Sequence, residues 1–202
     1  MDGKAQIGGA SPTSEPLFVT SVKVASEVFQ SLLPLEEELH QAAAWCSEAL
    51  RKGRKILTLG NGGSACEAQH LTAELMGHYR RDRTSLPAIT LNADSALLTC
   101  IGNDYSFEDL FARQLQGIGT TGDVLIAFST SGNSPNVLRA LSTARQMEIK
   151  SIAFLGRGGG TAISLADRTL LVPHSDTARI QEAHQFLLHL LMDYIESELR
   201  AG

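Results

Sequence analysis

ILTLGNGGSACEAQHLTAE, residues 56–74, holds a short apolar run that collides with three glycines and a serine, then opens into a segment carrying His70 and Glu74. The run reads as a buried strand, the glycine stretch as a turn, and the segment after the turn as a helix. Side chains four residues apart share a helix face, so His70 and Glu74 project together from the helix that opens at GNGGS. An isolated HxxxE pair is most often an exposed ion pair with no further role. The glycine loop at the mouth of this one raises the chemical reading.

Outward from this stretch, apolar runs alternate with helical patterns. KILTLG, PAITL, DVLIAFS, KSIAFLG and RTLLVP each read as a strand buried on both faces. The helices between them are expected near 64–77, 94–101, 107–116, 135–147 and 161–166, with a long last one over 177–199. Before them, residues 16–52 are free of internal glycine and interrupted by Pro34, which predicts two helices or one broken helix. The fold class is therefore α/β: a mostly five-stranded parallel sheet in a three-layer sandwich, with a helical preface. Ligands of such sheets sit beyond the carboxyl ends of the strands, which directs attention to the loops at Gly60, Ser129 and Gly156.

A chain of 202 residues, 43% of them hydrophobic, fits a single domain over 16–202. Its formal charge of −5 and one short basic cluster, YRRDR at 79–83, offer no surface for a nucleic-acid backbone. Cys46, Cys66 and Cys100 form no CxxC pair and are odd in number; they read as reduced, buried thiols of a cytoplasmic protein. No apolar run approaches the roughly 18 residues of a membrane span, and no signal-peptide core is present. Residues 1–15 mix Gly, Ser, Pro and Thr without periodicity and read as a mobile arm.

Two loops share small residues and hydroxyls: GNGGS at 60–64 and STSGNSPN at 129–136. In the second, Ser129, Thr130, Ser131 and Ser134 crowd around Gly132, and Pro135 suits the first position of a helix whose N–H groups could receive an anion. An ordinary turn needs one serine as N-cap, which Ser134 could supply. Four hydroxyls exceed that need. The lysine of GxxxxGK[ST] is missing, and GNGGSA is not GxGxxG, so a nucleotide is disfavoured and a phosphate monoester fits better.

The last helix places His189 in the apolar run FLLHLLM, where a polar ring must find a partner. A carbonyl-satisfied core histidine is the bland alternative. Apolar residues around most of the circumference over 186–192 imply burial of this helix, in part against another subunit.

Together GNGGSACEAQH, HLTAEL, IGNDYSFEDLFARQL, STSGNSPNV and ARIQEAHQFLLH resemble the sugar isomerase (SIS) domain family, and within it the bacterial phosphoheptose isomerases. The motifs occur in the same order from about Leu35 to the C-terminus. GNGGS and STSGNS alone mark only the wider superfamily; HxxxE and QxxxxxxxH narrow it. The resemblance implies a flavodoxin-like SIS fold and a cytoplasmic homotetramer. It implies an enzyme converting sedoheptulose 7-phosphate to D-glycero-D-manno-heptose 7-phosphate, the entry to nucleotide-activated heptose synthesis. By the same resemblance Glu74 is the catalytic base and His189 its acid partner. His70, Glu74, Gln181 and His189 match zinc ligands of some members. Asn61, Gly62, Gly63, Ser64, Asn103, Asp104, Ser129, Thr130, Ser131, Ser134 and Gln181 match substrate-contacting segments. One departure is His78, where the family commonly has arginine; Arg80, Arg81 or Arg83 could compensate, although solvated arginines are the default.

Moving a carbonyl from C2 to C1 requires a base that shuttles a carbon-bound proton and an acid serving two oxygens, which a carboxylate and an imidazole supply. Two other readings stand beside this one: a non-catalytic SIS protein that binds a replication-initiator partner or senses a sugar phosphate, and an SIS isomerase for another phosphosugar. Helix geometry adds a constraint. Gln181 and His189 are eight residues apart, about 12 Å along a helix axis, so both reach one ion most simply from different subunits.

Overall fold

The computed structural model describes residues 15–200; the proposed N-terminal arm lies almost entirely outside them. Helices α1 (Leu17–Gln30) and α2 (Glu36–Arg51) form the preface, joined through a short 3-10 turn, Leu33–Leu35. Pro34 sits within the first two residues of that turn, where its missing N–H costs nothing and its fixed φ divides the two helices. Next come β1 (Ile56–Gly60), α3 (Gly63–Met76), β2 (Ala88–Thr90), α4 (Ser95–Asp104), α5 (Leu110–Ile118) and β3 (Val124–Ser129). The chain continues through α6 (Pro135–Gln146), β4 (Lys150–Leu155), α7 (Ala162–Leu165), β5 (Arg168–Leu171) and α8 (Thr177–Glu198).

All four strand pairings are parallel, in the order β2-β1-β3-β4-β5. The two faces of the sheet carry separate cores, as alternation along a strand requires. Ile56, Val124, Ile126, Phe128, Ile152 and Phe154 face α2, α3 and α8; Leu57, Leu59, Leu125, Ala127, Ala153 and Leu155 face α5 and α6. β1 and β3 are buried throughout, as expected for central strands. The edge strands β2 and β5 are not: Ile89 is exposed, and three of the four residues of β5 are only half-buried, because each edge has one strand neighbour and incomplete helix cover.

Thr58, inside β1, is the one polar side chain on that strand. Its hydroxyl bonds the Ala68 carbonyl at 2.9 Å and the Thr72 hydroxyl at 2.8 Å, so its burial leaves nothing unpaired and pins β1 to α3. The cysteines divide. Cys46 is fully buried, and burial pushes its thiol up to about 12; Cys66 and Cys100 are exposed on helix faces turned away from both cores, contrary to the expectation for them. Among the described residues no helix is long and apolar enough to cross a membrane.

Candidate active site

The strand order reverses between β1 and β3, and at that switch point the two glycine-hydroxyl loops lie side by side, where open α/β sheets place their ligands. They enclose a pocket of about 210 Å³ lined by Asn61, Gly63 and Ser64 from the first loop and by Ser129, Thr130, Ser131 and Ser134 from the second; Phe128 forms its floor, and Thr177 and Gln181 of α8 close one side. Asn61 and Asn136 hold the loops together by a reciprocal amide pair, Nδ2 to Oδ1 at 2.8 and 2.9 Å. Ser129 Oγ accepts from the Gly132 N–H at 3.1 Å and Ser131 Oγ from the Asn133 N–H at 3.2 Å, which leaves both hydroxyl protons free to donate to an anion. Ser134 occupies the N-cap position of α6 yet makes no side-chain cap bond, so its hydroxyl is also available.

Gly63 lets Gln181 approach closely: a Cβ on it would stand 2.2 Å from Gln181 Nε2 and displace that side chain. Gly132, at φ 62°, likewise abuts the Gly159 carbonyl, where a Cβ would come within 1.9 Å. The glycines thus serve close approach as much as turn geometry.

From this pocket α3 and α8 run side by side, and their contacts step along both helices in the same direction. Gly63 meets Gln181; Glu67 meets His184; His70 meets His189. In the second pair, both side chains are buried. His184 Nε2 lies 3.2 Å from the Leu155 carbonyl, to which only its N–H can donate. Nδ1 stands 3.6 Å from Glu67 Oε2 and has no hydrogen-bond partner among the described residues.

The third step holds the chemistry. His70 Nε2 lies 3.0 Å from Glu74 Oε1 and 3.2 Å from His189 Nε2, and Gln185 Nε2 reaches His189 Nε2 at 3.1 Å. Tyr79 stacks on the His189 ring at 5.5 Å with 16° between planes, and Arg80 lies over Tyr79 while pairing with Asp193. Burial, then the facing His70 and the nearby Arg80, hold the His189 ring below the usual histidine range, against the opposing pull of Glu74 and Asp193. A neutral ring turns a lone pair or an N–H toward Glu74's end of the cleft.

One ligating atom from each of His70, Glu74 and His189 lies within 4.8 Å of the others. Two imidazole nitrogens and a carboxylate oxygen converging this closely form a donor set suited to zinc.

Residues 21–156 match the SIS domain. Over 159 residues the chain is 49% identical to the phosphoheptose isomerase of Pelobacter propionicus, covering 79% of this chain and 84% of that protein. It is also 49% identical to the Helicobacter pylori phosphoheptose isomerase, over 83% of this chain and 87% of that one. The solved structure of phosphoheptose isomerase GmhA from Neisseria gonorrhoeae superposes with a TM-score of 0.84 at 40% identity, covering 89% of this chain and 97% of that one. The chain belongs to the phosphoheptose isomerase family of SIS proteins.

Within the chain, the residues singled out in the sequence fall into three groups. His70, Glu74 and His189 meet at the α3–α8 seam. Asn61, Gly63, Ser64, Ser129, Thr130, Ser131, Ser134 and Gln181 line the pocket, while Gly62, at φ 57°, caps α3 just outside it. Asn103 and Asp104 do neither in a single chain: α4 runs on to Asp104, and both side chains are exposed, bonded to each other at 2.7 Å. Gln181 stands with the pocket, two helical turns from the cluster, because α8 already begins at Thr177. His78 is exposed beyond the end of α3. Arg80 is paired, Arg81 exposed, and Arg83 is not the solvated arginine expected but 16% exposed and fully engaged. Gln185, Tyr79 and Asn136 escape a reading of the sequence, since their roles arise from contacts distant along the chain.

Proposed function

We propose that this chain is an aldose–ketose isomerase that converts sedoheptulose 7-phosphate to D-glycero-D-manno-heptose 7-phosphate, the entry to nucleotide-activated heptose synthesis. The observation that carries the reading is the meeting of His70, Glu74 and His189 on the same two helices that close the hydroxyl-lined pocket. A helix N-terminus and three free hydroxyls suit a phosphate monoester.

Glu74 removes the proton from C1 of the ketose. The C1–H electrons form the C1–C2 double bond of an enediol as the C2 carbonyl oxygen gains a proton. The O1 proton is then lost, C1 becomes the carbonyl, and Glu74 returns its proton to C2, so no atom is gained or lost. His189 serves the two oxygens, a task a neutral ring performs in both directions because it can donate and accept. His70 holds the Glu74 carboxylate by its 3.0 Å contact.

In the same proposal His70, Glu74 and His189 hold one zinc ion per site, with Gln181 as a further ligand, and bound zinc would act as a Lewis acid toward the substrate carbonyl. Eight residues, about 12 Å of helix, separate Gln181 from His189, so a donor set containing both takes Gln181 from a second copy. The active unit is then an oligomer, a homotetramer by family resemblance, with sites shared between copies; the exposed Phe186, Phe29 and Leu33 are the natural contact surface. A cytoplasmic location is part of the same reading.

The competing readings lose ground at the cluster. A chain that only senses a sugar phosphate or docks a replication initiator needs the pocket but not a carboxylate and an imidazole brought together beside it. Incubating the purified protein with sedoheptulose 7-phosphate and, separately, pentose and hexose phosphates, with and without a chelator, tests the proposal. Aldose formation from the heptulose above all others is the expected result; preferential turnover of a pentose or hexose phosphate would reassign the substrate, and no turnover would remove the activity.

A further inference from the structure

We infer that Arg83 is a positioning residue for the base: it clamps the main chain of Glu74 to the helix that carries His189. The inference rests on the isomerase reading above and concerns a residue outside both the pocket and the cluster.

α3 ends at Met76, so the carbonyls of its last turn have exhausted the N–H groups of their own helix. Arg83 supplies replacements. Its Nη2 donates to the carbonyl of Glu74 itself at 2.7 Å, and its Nη1 donates to the Leu75 carbonyl at 2.8 Å. Nε of the same guanidinium donates to Glu196 Oε1 at 3.0 Å, and the Glu196 side chain is only 6% exposed. Glu196 lies on α8 seven residues beyond His189, two turns along the helix.

One planar group therefore spans the seam one step past the cluster, in line with the three pairs before it. The positive charge also sits at the C-terminus of α3, the end that favours a cation. A helix cap alone would need the two carbonyl bonds and no partner on α8. The buried carboxylate of Glu196 is what turns the cap into a link between the base and the helix of the acid. Lysine cannot reproduce it, because an ammonium is a point donor without the rigid fork that reaches two carbonyls and a carboxylate at once. Loosening the link moves Glu74 relative to His189 while leaving untouched the pocket, about three turns away at the other end of α3. Displacements of about 1 Å at a reacting group cost on the order of 100-fold in rate.

The test compares wild type with Arg83→Lys and Glu196→Gln for kcat, KM and the stoichiometry of inorganic phosphate binding per chain. The expected result for Arg83→Lys is a fall in kcat of about 10- to 100-fold, with KM and phosphate stoichiometry near wild type. Should Arg83→Lys not fold, Glu196→Gln decides: it keeps an oxygen for Arg83 Nε but removes the ion pair, and the same split in milder form is expected. Wild-type kcat in a folded variant, or kcat falling only in step with phosphate stoichiometry as the folded fraction drops, overturns the inference. A wild-type chain that turns over no phosphosugar overturns the isomerase reading and this inference with it, whereas an active wild type beside an equally active Arg83→Lys overturns the inference alone.

Discussion

His70 Nε2 lies 3.2 Å from His189 Nε2, although 119 residues separate them. With Glu74 at 3.0 Å from the same His70 nitrogen, the proposed base and acid meet within one chain. A mixed oligomer of Glu74→Gln and His189→Ala chains then contains no intact pair, and subunit exchange between these two variants is expected to recover no activity. Gln181→Ala mixed with His189→Ala is the opposite case. If Gln181 reaches the cluster from a second copy, some sites of the mixture are whole, and activity recovers; absence of recovery there, with each parent inactive, would assign Gln181 to its own chain's pocket alone.

The pocket predicts a separable effect. Alanine at Ser131 and Ser134 removes two free hydroxyls without touching the cluster, so KM should rise at least tenfold while kcat changes little. Each lost hydrogen bond to a charged oxygen is worth about 1.5–3 kcal/mol, which makes tenfold a lower bound. Isothermal titration with inorganic phosphate should show the same loss, and unchanged affinity would mean the loop is only a turn.

His184 and Glu67 make a stability prediction. Among the described residues the Glu67 carboxyl makes no hydrogen bond, and His184 Nδ1 stands 3.6 Å from it; His184→Leu removes that neighbour and the ring's bond to the Leu155 carbonyl, a loss of about 1–3 kcal/mol. The double variant Glu67→Met with His184→Leu should recover much of that loss, because neither half remains unpaired. Urea unfolding of the two proteins measures the difference; equal losses would show that the two side chains do not depend on one another.

A pH dependence arises from His189. Its folded-state pKa is lowered, chiefly by burial and then by His70, so the unfolded chain binds the proton first as pH falls. Stability tied to this ring is therefore complete above the ordinary histidine value of about 6.5 and declines as pH drops through and below it. In chelated protein, wild type should lose stability relative to His189→Gln between about pH 7.5 and 5.5, a window set by that value. Parallel urea-unfolding curves across the window would contradict the assignment.

Local pattern makes much of this molecule readable. The apolar runs at 56–60, 124–129 and 150–155 are central strands because a parallel strand covered on both faces has no polar side to show. HxxxE is legible since four residues along a helix fix a common face. The helix expected over 94–101 runs three residues further, because Gly102 has the look of a stop and is in fact helical. Asn103 and Asp104 are consequently helical residues, outside the lining of the pocket within one chain. Arg83 with Glu196, Asn61 with Asn136 and Tyr79 with His189 are illegible in the sequence, as each joins segments 75 or more residues apart. One signal is available: His184 interrupts the apolar stripe of Ile180, Leu187, Leu188 and Leu191, and a histidine so placed must have a partner.

The central claim is that Glu74 moves the carbon-bound proton, and the most direct measurement replaces its carboxylate by an amide of the same shape. Sedoheptulose 7-phosphate is incubated with wild type and with Glu74→Gln, and aldose formation is followed alongside phosphate binding. The account predicts aldose from wild type, none above background from Glu74→Gln, and equal phosphate affinity in both, because the amide cannot act as a base. Turnover by Glu74→Gln near the wild-type rate would contradict it.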